Sequence, residues 1–270
     1  MVRAMAQSPI LNVMTRAVER AAPGIRRDFG ELDKLQISKK GVQNFVTNTD
    51  IRTEKILREE LEKARPNFGF LMEEGGVVEG KDSAHRWVID PLDGTSNFIH
   101  AIPYFCISVG LEKMNADGEY ETIAAVIYDP IHDDMFTAEK GQGAFHNRYK
   151  MRVSSREEDL FFSTVSPRRG KDNNHDIAMR FEKATQTGAV VRCSGAAALD
   201  LAYVANGRYD AIWYDSLKAW DVSAGMLLVR EAGGLVSDLD GGSRACGDGS
   251  LLASNGLVHN RLVDCLKLGE

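Results

Sequence analysis

An apolar strand, Trp87-Val88-Ile89, runs without a break into Asp90-Pro91-Leu92-Asp93-Gly94-Thr95-Ser96-Asn97. This ties the fold to a sheet in which one strand ends in two carboxylates three residues apart. Pro91 between them fixes φ and removes a backbone donor, so the turn is stiff. Leu92 can then offer its carbonyl rather than its side chain. Two carboxylates and a carbonyl converging at a strand end are hard oxygen ligands, the kind Mg²⁺ prefers. Gly94 lets backbone approach a ligand closely. Thr95 and Ser96 supply hydroxyls where a short helix can begin, and free N–H groups there suit a phosphate. Standing alone, the same residues would more often be an Asx-type turn that caps a helix.

The rest of the chain supplies the company that changes this weighting. A first helix is expected from the N-cap Ser8 and Pro9, with Ile10, Val13, Met14, Ala17, Val18 and Ala21 at helical spacing. Pro23-Gly24 is expected to kink or end it. A second helix follows Thr49-Asp50, with Ile51, Ile56, Leu57, Leu61 and Ala64 as its buried stripe, and stops before Pro66. Strand-like runs come next at 68–72, 86–89, 105–111, 121–128 and 135–138, with no long helix between them, which suggests an antiparallel sheet. From 161 onward strands and helices alternate: strands at 161–165, 190–192, 210–213 and 251–253, helices at 176–187, 196–205, 222–232 and 257–266. That is an α/β pattern. The change of style places a soft boundary near Met151. Residues 1–150 form an N-terminal unit of helices and sheet carrying most of the acidic site, and 151–270 a C-terminal α/β unit.

Three further acids stand at the ends of elements, where sites are usually built. Glu73 closes the strand Phe70-Leu71-Met72 and is followed by Glu74. Asp50 opens the second helix after Val46-Thr47-Asn48-Thr49. Asp221 opens the helix at 222–232, which ends in Gly233-Gly234. Each has a plainer reading, a solvated strand end for Glu73 and an N-cap for Asp50 and Asp221.

Taken together these pieces resemble the inositol monophosphatase family. The likeness rests on VTNTD ending at Asp50, Glu73-Glu74, WVIDPLDGTSNFIH from Trp87 to His100, GAFHN from Gly143 to Asn147 and WDVSAGMLLVREAGG from Trp220 to Gly234. They occur in the family's order and cover nearly the whole chain. The resemblance implies a layered αβαβα sandwich, an α/β (α+β) protein that is usually a homodimer, and a Mg²⁺-dependent phosphoric monoester hydrolase. Glu73, Asp90 and the Leu92 carbonyl are implied as holders of a first metal. Asp90 then bridges to a second, completed by Asp93 and Asp221, with a third ion near Glu73. Asp50 and Thr95 are implied as the pair that takes the proton from the attacking water, beside Glu73 as a further catalytic group. Asp93, Gly94, Thr95, Ser96, Gly195, Ala196, Ala197, Tyr214 and Asp215 are implied substrate contacts, and Lys39 matches a loop lysine near the site in relatives. The chemistry agrees with the residue types, since hydrolysing a phosphomonoester needs negative charge spread and a water aligned in line.

Four positions depart from the family. Met72 stands where relatives usually have Gly, Ser96 replaces a common Thr, and Ala196 stands where some relatives carry Thr. Tyr214 stands where inositol-cleaving relatives usually carry Glu, with Asp215 one residue later. The leading expectation is hydrolysis of myo-inositol 1-phosphate or a similar small polyol phosphate by metal-activated water, with sensitivity to lithium. Alternatives are a nucleotide, sugar or histidinol phosphate, or a role like that of the similar bacterial extragenic suppressors, which act in transcription antitermination by binding RNA polymerase. Arg168, Arg169 and Lys171 are the obvious basic cluster of the second half. The formal net charge of −6 argues against a broad basic footprint for nucleic acid. Four scattered cysteines with no CxxC pair, and no signal-length or membrane-length apolar run, give the expectation of a reduced, cytoplasmic protein.

Overall fold

The computed structural model describes residues 8–32, 37–41, 44–165, 174–243 and 247–268; for 37–41, 44–46 and 174 the description is of the backbone. The first half contains helix α1 (Pro9–Phe29), strands β1 (Ile37–Gly41) and β2 (Asn44–Thr47), α2 (Asn48–Ala64), β3 (Phe68–Met72), β4 (Gly76–Val78), β5 (Asp82–Asp93), the one-turn helix α3 (Thr95–Ile99), β6 (Cys106–Met114), β7 (Tyr120–Asp129), β8 (Asp134–Glu139), β9 (Gly143–His146) and β10 (Tyr149–Lys150). The second half contains β11 (Phe161–Thr164), α4 (Asn174–Gln186), β12 (Val190–Arg192), α5 (Ala197–Ala205), β13 (Ala211–Leu217), α6 (Ala219–Glu231), β14 (Leu235–Ser237), β15 (Gly249–Ser254) and α7 (His259–Leu266).

These elements stack as helix, sheet, helix, sheet, helix. An eight-stranded sheet runs β10-β9-β8-β7-β6-β5-β3-β4, and a five-stranded sheet runs β12-β11-β13-β15-β14. The side-chain period of two in a strand sends neighbours to opposite faces, and three core clusters follow from it. Ala124 and Val126 of β7, with Trp87 and Ile89 of β5, pack under Met14, Val18 and Ile25 of α1 and Leu57 and Leu61 of α2. Ala125 and Ile127, the alternate residues of β7, face the inner layer made by Leu201 and Val204 of α5 and Met226 and Val229 of α6. Ile212 and Tyr214 of β13 close that layer from the small sheet. Trp213, between them, points outward to Phe162, Ala184 of α4 and Leu262 of α7. The helices of the inner layer approach closely at Gly225, where an added Cβ would lie 2.4 Å from Leu201 Cδ1.

The outer helices show where periodicity is a good guide and where it is not. Ser8 caps α1, its Oγ accepting Leu11 N–H at 3.2 Å. The helix passes straight through Pro23. Pro23 is exposed, so the carbonyl left without a donor can be served by water. On α2 the buried stripe is Thr49, Asp50, Thr53, Glu54, Leu57 and Leu61, while Ile51 is 54% exposed. The helix is rotated so that its polar face, not Ile51, looks inward toward the acidic strand ends. The large sheet is antiparallel except at β3 and β5, which pair in parallel because β4 hairpins onto the far edge of β3. Met72 is accommodated in the apolar layer under α2, at 1% exposure. No helix among the described residues is long and apolar enough to cross a membrane.

Candidate active site

The site grows from an irregularity in β5. Asp90 pairs with Ser108 and Asp93 with Cys106 of β6, and the register shifts between them. Pro91 cannot donate to a ladder, and a bulge is where an interior strand tolerates proline. The turn is closed by Leu92 N–H, which donates to Asp90 Oδ1 at 3.0 Å. Gly94 then takes φ 94° to start α3. A Cβ there would lie 3.0 Å from the Tyr104 carbonyl oxygen and 3.1 Å from Ala196 Cβ, so both conformation and space require glycine.

Three other elements deliver acids to this bulge. β3 runs parallel to β5 with Met72 opposite Ile89, and Glu73 N–H donates to the Ile89 carbonyl at 3.2 Å, so Glu73 ends beside Asp90. Asp221 is the third residue of α6 rather than its N-cap; its Oδ2 accepts Lys218 N–H at 2.7 Å. Asp93 Oδ2 accepts Ala198 N–H at 2.6 Å from the first turn of α5. Asp50 is likewise the third residue of α2, in a capping box with Thr47, whose N–H and hydroxyl donate to Oδ2 at 2.9 and 2.5 Å. That leaves Asp50 Oδ1 for Thr95, whose hydroxyl lies 3.2 Å from it and 3.1 Å from the Leu92 carbonyl oxygen.

The electrostatics follow from packing acids together. Burial holds the Asp90 carboxyl well above the usual range, and the charges of Glu73, Asp93 and Asp221 add to the rise. Asp93 is pushed well up by burial and then by Asp221, against the bond from Ala198, with Asp200 and Glu73 adding further. Asp221 is raised to about 6, mainly by burial, with the bond from Lys218 opposing. Burial also raises Asp50, against the bonds from Thr47. Carboxylates that repel one another so strongly must be protonated or neutralised by cations. Among the described residues no three His, Cys, Asp or Glu side chains close into a finished metal cage. The donor set still fits a hard divalent ion in kind: carboxylate and carbonyl oxygens from three elements, while the neighbouring Cys106 is held as the thiol by burial.

Beside the acids lies a cleft of about 210 Å³, lined by Asp93, Asp221, Thr164, Val165, Cys193, Gly195, Ala197, Tyr214 and Leu217. Gly195 and Ala197 are on its wall, while Ala196 is buried beneath, against Gly94. Ser96 stays partly exposed next to Thr95. Tyr214 and Asp215, adjacent on β13, part company: Tyr214 faces the cleft and Asp215 the outer layer, where it is ion-paired with Arg180 of α4. The Lys39 side chain and the cluster Arg168, Arg169 and Lys171 lie outside the described residues.

Sequence reasoning misses Asp200. It is fully buried, and it accepts the hydroxyls of Tyr104 at 2.5 Å, Ser163 at 2.7 Å and Tyr214 at 2.8 Å. A lone acid inside the apolar run Ala196–Ala205 is the signal that could have found it, because a buried carboxylate needs partners.

A sequence profile of the inositol monophosphatase family matches residues 6–267. An inositol-1-monophosphatase of Mesorhizobium japonicum is 45% identical over 265 residues, 97% of this chain and 98% of that protein. A Nus factor SuhB of Pseudomonas aeruginosa is 41% identical over 253 residues, 92% of each. The crystal structure of extragenic suppressor protein suhB from Bartonella henselae superposes with a TM-score of 0.89 at 44% identity, covering 97% of this chain and 100% of that one.

Proposed function

We propose that this chain, which belongs to the inositol monophosphatase family and is a phosphomonoesterase by that membership, hydrolyses myo-inositol 1-phosphate or a similar small polyol phosphate with Mg²⁺ as cofactor. One observation carries the reading. The β5 bulge and the start of α6 bring Asp93 and Asp221 to one end of a cleft, with Asp90 buried beside them and a hydroxyl–carboxylate pair, Thr95 and Asp50, against the same bulge.

The residues divide the work as follows. Bound divalent cations, two or three per site, supply charge neutralisation of the phosphate and a more acidic water, and Glu73, Asp90, the Leu92 carbonyl, Asp93 and Asp221 are the donors that hold them. Asp50 has one oxygen committed to Thr47 and one turned to Thr95. It can therefore draw the Thr95 proton while the Thr95 oxygen accepts one from the attacking water. Gly94, Thr95 and Ser96 face the phosphate end, and Gly195, Ala197 and Tyr214 the leaving alcohol. Tyr214 presents an aromatic ring where a carboxylate would grip ring hydroxyls, and Asp215 is turned away.

The test is phosphate release from myo-inositol 1-phosphate, glycerol 2-phosphate, fructose 1,6-bisphosphate, adenosine 2′- and 3′-phosphates and histidinol phosphate, with and without Mg²⁺. Preference for the inositol ester supports the assignment; Mg²⁺-dependent preference for another ester replaces the substrate. Thr95→Val should lower kcat by about 10²-fold or more with KM little changed. Kinship also supports a homodimer, a cytoplasmic location and inhibition by lithium, open to sedimentation, fractionation and a lithium titration respectively. A second reading, a transcription role with RNA polymerase as partner, is supported by the 41% identity to the Pseudomonas Nus factor. Capture of the polymerase by a catalytically inactive Asp93→Asn chain would support it.

A further inference from the structure

Among the buried acids that the proposed reaction leaves without a task, Asp200 stands nearest the cleft wall. Asp200 of α5 is fully buried, and its three hydroxyl donors come from three different places: Tyr104 after α3, Ser163 on β11 and Tyr214 on β13. Burying a carboxylate is costly, and a well-packed apolar side chain would serve stability as well or better. The neighbours suggest why an acid stands there. Tyr214 lines the cleft itself, and Ser163 precedes the lining residue Thr164. The Tyr104 carbonyl accepts the Asn97 amide at 2.7 Å, and the same amide donates to the Ser194 carbonyl at 2.8 Å. Ser194 stands between Cys193 and Gly195, both on the cleft wall, and its hydroxyl lies 3.2 Å from Ser163 Oγ and 3.0 Å from the Tyr209 hydroxyl. Every element of the wall opposite the metal-binding acids is thus tied, directly or through one residue, to this carboxylate.

We propose that Asp200 is the positioning residue of the leaving-alcohol wall: by accepting the Tyr214 and Tyr104 hydroxyls it fixes the Tyr214 ring against the cleft and so sets which alcohols fit. The inference rests on the phosphatase reading above and adds to it a residue that touches no substrate. Its discrimination acts at the alcohol end. The phosphate end has its own framework in β5 and α3, and what it shares with Asp200, the helix α5 whose Ala198 bonds Asp93 and the Asp200 charge felt at Asp93, bears on every ester alike. The difference in KM between a large leaving group and one too small to reach Tyr214 therefore reports the network's hold on Tyr214.

The experiment compares two esters, myo-inositol 1-phosphate and methyl phosphate, in saturating Mg²⁺. Asp200→Asn and Tyr214→Phe should each raise KM for the inositol ester about tenfold more than KM for methyl phosphate, the scale of one lost hydrogen bond to a charged group. Their kcat values on the two esters should move together. The double variant should be little worse than the poorer single one, because both changes act on the same Tyr214–Asp200 bond, which Asp200→Asn weakens by removing the charge and one acceptor oxygen and Tyr214→Phe removes. Equal effects on the two esters, or fully additive effects, overturn the proposal, since a merely structural role would lower activity without regard to the alcohol. Should Asp200→Asn fail to fold, Tyr214→Phe and Tyr104→Phe carry the same comparison and are decided by the same outcomes. Release of phosphate by the parent with an unchanged KM ratio in the variants overturns this inference alone. No release from either ester by the parent overturns the phosphatase reading and this inference with it.

Discussion

Asp93→Asn separates chemistry from fold in a single substitution. Asp93 Oδ2 accepts Ala198 N–H at 2.6 Å, and asparagine can keep that bond through its carbonyl oxygen. What it removes is a charge against which Asp221, Asp200 and Glu73 all push. Two like charges about 6 Å apart repel by about 3 kcal/mol at an effective dielectric of about 20. Protonation and local relaxation already relieve much of this in the metal-free protein. We therefore expect the metal-free variant to be more stable than the metal-free parent by about 1–2 kcal/mol, a rise in Tm of about 2–6 °C. In Mg²⁺ the order should reverse, because only the parent binds the ion fully. Binding at 100 times Kd adds about 2.7 kcal/mol to the folded state. Turnover should fall by about 10²–10³-fold, since a neutral amide is a poor ligand for a hard cation. Thermal unfolding in chelator and in Mg²⁺, run beside phosphate release, reads all three quantities. A metal-free variant that melts below the parent, or near-parental turnover at saturating Mg²⁺, would refute the picture of Asp93 as a repelled ligand.

The same cluster predicts the pH dependence of the metal-free protein. Asp90, Asp93 and Asp221 all have folded pKa values above their unfolded ones. Such groups favour the folded state at low pH and lose that contribution as pH rises through the folded value. Denaturant midpoints in chelator should accordingly fall as pH rises from about 4, the unfolded carboxylate range, through about 6, the Asp221 value, with the higher-lying Asp90 and Asp93 continuing the fall, and a flat or rising profile would count against the acid cluster. Gly94→Ala should cost about 1–3 kcal/mol of stability, from positive φ and the close Tyr104 carbonyl and Ala196 methyl; a melting temperature equal to the parent's would contradict the geometry. Asp215→Asn should cost about 3 kcal/mol by leaving the largely buried Arg180 without its charge partner, while KM for the preferred polyol phosphate stays put. A large KM change there would mean that Asp215 reaches the cleft after all.

Much of the site can be read along the chain because its chemistry is concentrated at element ends. The β5 bulge is written into Asp90-Pro91-Leu92-Asp93-Gly94: proline, glycine and two acids leave the backbone few options. β3, β12 and the helix α5 lie within a residue or two of where local pattern puts them, and α1 starts where expected, since strand and helix periods leave distinct apolar spacings; α1 nevertheless continues past Pro23-Gly24 to Phe29. The misses have physical causes. Spacing puts Ile51 in the core because it cannot tell which face of α2 a neighbouring sheet will cover. Asp50 and Asp221 read as N-caps, yet both sit at the third helical position, where the carboxylate folds back onto the residue before the helix.

Sequence by itself determined the class of fold, the order of its layers' components and which acids stand at element ends as candidate oxygen donors, because these depend on residue type and short-range spacing. Only the tertiary structure decided what those donors confront. The parallel pairing of β3 with β5 brings Glu73 to Asp90, and α6 carries Asp221 across from the other half of the chain. The pleat of β13 sends Tyr214 to the cleft and Asp215 to Arg180. Asp200 gathers three hydroxyls that stand 96, 37 and 14 residues from it along the chain. Contacts of that span are set by how sheets and helices stack, and a local pattern carries no record of them.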